Sequence, residues 1–123
     1  MNARTRCGAV AACLLATVAT PARALPVTVS RQVVTVGSTY VVSEITIYEG
    51  DSLTLTNLDP ISHDLVSLYF SGGVHVFGSG PAATGQSVDV AGVASLRPGR
   101  YPFYCSLHER MLGNIAVEAA PAR

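Results

Sequence analysis

Downstream of Leu25, apolar and polar residues alternate in short segments rich in Val, Ile, Thr and Tyr, with turn residues between them. That period of two predicts half-buried β-strands. Ile45 and Ile47 share one face, a Gly50–Asp51 turn follows, and Leu53 and Leu55 repeat the pattern. Further pairs or triples come from Val66, Leu68 and Phe70, from Val74 and Val76, and from Val88 and Val90. After a Pro98–Gly99 turn, Tyr101, Phe103 and Cys105 point the same way, and Ile115 and Val117 close the series. Val27 and Val29 open it, but the phase slips at Val33–Val34, which predicts a bulge or bend. Gly78–Gly85 is the longest stretch without periodicity. Seven or eight short strands with no helix predict an all-β, Greek-key sandwich or barrel.

The N-terminus follows a different logic. Arg4 and Arg6 precede an apolar run from Cys7 to Ala19, and Ala22-Arg23-Ala24 forms an A-x-A cleavage site. This is the pattern of an export signal over residues 1–24, leaving a single domain over 25–123. A lipoprotein site at Cys13 is discounted, because the apolar run continues past it through Leu14, Leu15 and Val18. The run is shorter than the roughly 20 residues of a membrane-spanning helix, so no stable membrane insertion is expected.

Cleavage after Ala24 changes the chemistry that remains. The mature chain keeps five Arg, no Lys and eight Asp plus Glu, a formal charge of −3. Nucleic acid is not an expected partner, since phosphate neutralisation needs clustered Lys and Arg. The remaining length suffices for one core, and a monomer is expected. Cys7 and Cys13 are lost, and Cys105 stands alone in an oxidising compartment, as a free thiol, half of an intermolecular bridge, or a ligand.

Taken by itself, inward-facing Cys105 reads as a small buried hydrophobe. His108 follows it at +3 and Met111 at +6, and His63 lies in "DPISHDLV" before another strand. Singly, a loop histidine is solvated and a lone methionine fills a core gap. Together these four residues supply one thiolate, two imidazoles and a thioether, the donor set of a blue-copper site with a weak axial methionine. Zinc competes, but structural zinc prefers four Cys or His ligands. A nucleophilic Cys–His pair also competes, and gives Met111 no role. His75 sits between Val74 and Val76; if those face inward it faces solvent, outside the donor set.

"YPFYCSLHERMLGNIAVE" resembles the C-terminal signature of the small cupredoxins, the family of plastocyanin, pseudoazurin and amicyanin. "YVVSEITIYEGDSLTLTNLDPISHDLV" resembles the same family's approach to its first copper histidine. The resemblance runs from Tyr40 to Glu118, and the compact Cys-x2-His-x2-Met loop is closest to amicyanin. It implies one type 1 copper ion held by His63, Cys105, His108 and Met111. It implies a carrier of single electrons, not an enzyme. Leu107, Leu112 and Gly113 give His108 an apolar rim suited to transient docking with redox protein partners, and the export signal places the chain in the periplasm or outside the cell. A catalytic blue-copper protein normally passes electrons to a second copper cluster, and only His75 is left over to build one. One departure is Asp64, where the family commonly has an Asn that helps tie the two ligand loops together; a carboxylate there can accept hydrogen bonds from backbone or hydroxyl groups near Ser106. The alternative is a copper-binding protein for storage, delivery or resistance, which needs the same ligands. A second Met and His cluster would favour it, but Met111 is the only methionine after Ala24.

Overall fold

The computed structural model describes residues 15–21 and 29–121. The expected export signal and its cleavage site lie mostly outside them, and residues 15–21 carry no regular secondary structure. Among the described residues no helix is long and apolar enough to cross a membrane.

Nine strands form within the described residues, against the seven or eight expected. They are β1 (Ser30–Thr35), β2 (Glu44–Tyr48), β3 (Ser52–Asn57), β4 (Val66–Ser67), β5 (Phe70–Ser71), β6 (Val74–His75), β7 (Ser87–Asp89), β8 (Gly99–Tyr104) and β9 (Leu112–Glu118). A single 3-10 turn covers Val93–Ser95. One sheet has the order β1-β3-β7 and the other β2-β9-β8-β4, while β5 and β6 form a separate hairpin. The β1–β3 and β2–β9 pairs are parallel, and β8–β9 is antiparallel.

The two larger sheets contribute their inner faces to one core. Ile45, Ile47, Phe103, Ile115 and Val117 come from one sheet, and Val33, Leu53 and Leu55 from the other. The alternation in the sequence is the cause: the intervening Thr46, Thr54 and Ala116 are not buried. Burying each such side chain contributes about 1.5–3 kcal/mol. Gly113 stands opposite Phe103 in the β8–β9 ladder. A Cβ there would come within 2.7 Å of the Phe103 ring and 2.8 Å of the Ser43 carbonyl, so the glycine makes room for the aromatic ring.

Two expectations fail. The phase slip at Val33–Val34 produces no bulge; β1 pairs with β3 in unbroken register from Ser30–Ser52 to Thr35–Asn57. Val33 and Thr35 face inward, and the buried Thr35 hydroxyl is accommodated by a hydrogen bond to Asn57 Oδ1. In the middle of the chain, Leu68, Phe70 and Val74 are exposed rather than buried, Val74 by 67 %. The chain leaves the sheet after Ser67 and turns back through Gly72 and Gly73, both at positive φ. Leu65, Val66 and Phe77 supply the burial instead.

Candidate metal centre

The site begins where β3 ends. Asn57 is fully buried, and its amide nitrogen donates to the carbonyls of Ile61 and Ala82, each at 2.8 Å. Its Oδ1 accepts the Thr35 hydroxyl at 2.8 Å and the Asp59 amide at 2.9 Å. One side chain thus joins the end of β1, the loop after β3 and Ala82. His63 then pairs with Ala82 through both backbone bonds, at 3.2 and 2.8 Å. That pairing fixes its backbone, and its ring is fully buried.

The ring is held from behind. Its Nε2 lies 2.7 Å from Oδ2 of Asp59, a buried carboxylate that also accepts the amides of Gly37 at 2.5 Å and Ser38 at 2.8 Å. Burial pushes the Asp59 carboxyl pKa up. The Ser38 and Gly37 amides and the His63 ring outweigh that effect and hold it below the usual carboxylate value.

Cys105 follows β8 directly, and its buried sulfur lies close to one backbone amide and two imidazole nitrogens. The Asp64 amide donates to Sγ at 3.4 Å. His63 Nδ1 is 3.9 Å from Sγ, and His108 Nδ1 is 3.7 Å from it. The Cys105 sulfur and the His63 and His108 ring nitrogens all lie within 4.8 Å of one another. The two imidazole rings are tilted by 58° with centroids 4.6 Å apart. Donors bonded to one ion at about 2.0–2.3 Å stand roughly 3.5–4 Å from each other, so this trio has the spacing of a coordination shell. Burial, with a smaller effect of the Asp64 charge, pushes the Cys105 thiol pKa up; the Asp64 and Leu107 amides pull against it.

Asp64 ties the two ligand loops together. Its carboxylate accepts the Ser106 amide at 2.6 Å and the Ser106 hydroxyl through its other oxygen. Its carbonyl accepts the buried Tyr40 hydroxyl at 2.6 Å, and the Tyr40 ring packs edge-on against Phe103 at 5.0 Å. Burial, then the charges of Cys105 and Asp64, push the Tyr40 phenol pKa up.

The structure therefore brings together His63, Cys105 and His108 from separate positions in the sequence. Met111 is buried in the same core cluster as Cys105, and its carbonyl accepts the Cys105 amide at 3.1 Å. His75 lies outside the group, as expected, but not for the expected reason. Val74 is exposed, and the half-buried His75 ring packs on Phe70 at 4.4 Å with Nδ1 2.6 Å from the Ser67 carbonyl. Asp59 escaped the sequence reading. A carboxylate four residues before a histidine in an aperiodic loop gives no pattern by which to single it out.

No protein-family model matches the chain, and no curated protein matches it in sequence. Solved structures do. A reduced tryptophan-to-tyrosine mutant of amicyanin superposes with a TM-score of 0.62 at 20% identity, over 72% of this chain and 82% of that one. The fold is the cupredoxin fold. The reduced Cu(I) form at pH 4 of a proline-to-glycine mutant of amicyanin gives a TM-score of 0.60 at 20% identity, over 79% and 87% of the two chains. Amicyanin from Paracoccus versutus (Thiobacillus versutus) gives 0.58 at 21% identity, over 71% and 79%. At these identities the likeness lies in the course of the chain, and the donor trio sits on this chain's own cupredoxin sandwich, where the loops after β3 and β8 meet.

Proposed function

We propose that the chain is a type 1 (blue) copper protein carrying single electrons between redox partners outside the cytoplasm. Its one copper ion is held by Nδ1 of His63, Sγ of Cys105, Nδ1 of His108 and the thioether of Met111. The observation that carries this reading is the convergence of a buried thiol and two imidazole nitrogens at coordination spacing. Thiolate with imidazole in a closed site suits copper, and a methionine in the same loop suits it better than zinc. Similar amicyanin structures in oxidised and in reduced Cu(I) states support the same use of the fold.

The bound ion supplies the one-electron chemistry, and the chain supplies position and environment. Asp59 holds the back of His63, and Asp64 holds Ser106 beside Cys105. Ligands anchored in this way keep their places when the charge of the site changes, which keeps reorganisation small. His108 is half-buried, with the exposed side chain of Leu107 beside it in sequence and that of Leu112 four residues on. An imidazole edge with apolar neighbours favours short-lived docking of a redox protein to a monomer. Export rests on the N-terminal pattern, with the mature protein starting at Leu25.

Voltammetry of the copper-loaded protein separates carriage from storage or delivery. A carrier gives one reversible one-electron wave and keeps its copper through repeated cycles. Loss of the ion to a Cu(I) chelator on each reduction would support delivery instead.

A further inference from the structure

His63 is the fully buried ring of the centre, and its two nitrogens face different partners. Nε2 lies 2.7 Å from Asp59 Oδ2, and Nδ1 faces Cys105 Sγ at 3.9 Å. Asp59 already accepts two successive backbone amides, from Gly37 and Ser38. Both residues sit at positive φ, 61° and 51°, a conformation that turns their amides toward one carboxylate. Ser38 is one of only two non-glycine residues at positive φ among the described residues, so the loop accepts an unfavourable backbone to make this cradle.

Backbone N–H groups only donate, and an ionised carboxylate only accepts. The Gly37 and Ser38 amides therefore favour ionised Asp59, and the third contact to Asp59 must be a donor. That places the ring proton on Nε2 and leaves the lone pair of Nδ1 directed at the sulfur. A neutral ring held this way meets a metal without changing tautomer, and a carboxylate behind a histidine ligand raises its basicity. The carboxylate is buried, so its charge is screened much less than a surface charge.

We infer that Asp59 is the positioning residue of the centre: it fixes His63 as an Nδ1 ligand and sets a buried negative charge behind it that favours Cu(II) over Cu(I). The charge half of this statement rests on the copper reading above; the positioning half holds for the metal-free chain. By this account the potential is lower than if His63 donated to a neutral carbonyl.

Two experiments test the two halves. Nitrogen-15 NMR of the metal-free full chain reads which ring nitrogen of His63 carries the proton. A hydrogen-bonded proton on Nε2 and a bare Nδ1 are expected. A proton on Nδ1, or a ring averaging between tautomers, overturns the positioning role. The measurement uses the native sequence, so it stands even if substitutions at Asp59 fail to fold. Voltammetry of copper-loaded Asp59→Asn reads the charge. The amide oxygen still accepts Nε2–H while the negative charge is gone, so the potential rises and Cu(II) affinity falls about 10–100-fold. An unchanged potential overturns the charge role. A wild-type protein that takes up no copper fails the copper reading alone and leaves the tautomer result intact.

Discussion

The Cys105 amide donates to the Met111 carbonyl at 3.1 Å, extending the β8–β9 ladder one step beyond its last strand pair, Tyr104–Leu112. The loop between them is thereby closed at its root. Arg110, at φ 68°, supplies the tight turn before Met111. So short a closed loop returns His108 to the sulfur three residues before it. The same bond fixes the backbone of Met111 beside the site.

If Met111 is the weak fourth ligand, its replacement moves the potential in opposite directions. Met111→Leu removes a donor from Cu(II) and raises the potential; Met111→Gln donates more strongly and lowers it. Voltammetry of the two variants checks the order. Identical potentials in both would remove Met111 from the ligand set.

The raised thiol pKa of Cys105 has a sign that can be measured. At pH 7 the metal-free thiol is protonated, and the metal takes the thiolate, so loading Cu(II) releases about one proton per ion. A pH indicator in weak buffer reads this directly, and loading without proton release would contradict it. The stability consequence has the same origin. A folded-state pKa raised above the unfolded one contributes stability that is complete below about pH 8.5, the ordinary thiol value, and lost as pH rises. Chemical denaturation of the metal-free protein from neutral to alkaline pH should show that decline.

Gly113→Ala tests the packing beneath the site. The new Cβ meets the Phe103 ring and the Ser43 carbonyl, and neither a core aromatic ring nor a backbone carbonyl moves aside freely. Overpacking of this kind costs about 1–3 kcal/mol. Thermal denaturation should show a lowered midpoint, and an unchanged midpoint would mean that Phe103 repacks without strain.

Much of this molecule was legible in its sequence, for reasons that differ from residue to residue. Ile45, Ile47, Leu53, Leu55, Phe103, Ile115 and Val117 alternate cleanly, and each is buried. The same rule misplaced Leu68, Phe70 and Val74, because the chain leaves the sheet after Ser67 and period-two pattern continues into a hairpin that faces solvent. His63, Cys105 and His108 stood out by donor type and spacing, which chemistry restricts. Asp64 stood out as a departure at a loop-tying position, and it ties the loops through Ser106. Asp59 gave no signal, since its role depends on a three-dimensional cradle of Gly37, Ser38 and His63. Sequence periodicity reports burial within one element and says little about polar contacts between loops.

Tyr40→Phe probes how firmly the loops are tied. It removes the hydroxyl that donates to the Asp64 carbonyl at 2.6 Å and leaves that acceptor buried. A stranded buried acceptor costs about 1–3 kcal/mol. Denaturant titration of the metal-free variant should show the loss. An unaltered midpoint would mean that water or another donor replaces the hydroxyl.

The most direct test of the copper centre is the visible absorption spectrum of the purified wild-type protein with Cu(II), recorded beside that of Cys105→Ser. A thiolate bonded to Cu(II) absorbs strongly by charge transfer, and a serine oxygen does not. An intensely blue wild type that bleaches on reduction is expected, and a variant without the band. A wild type that binds Cu(II) with only a weak, pale spectrum, or one that keeps its colour without Cys105, would contradict it.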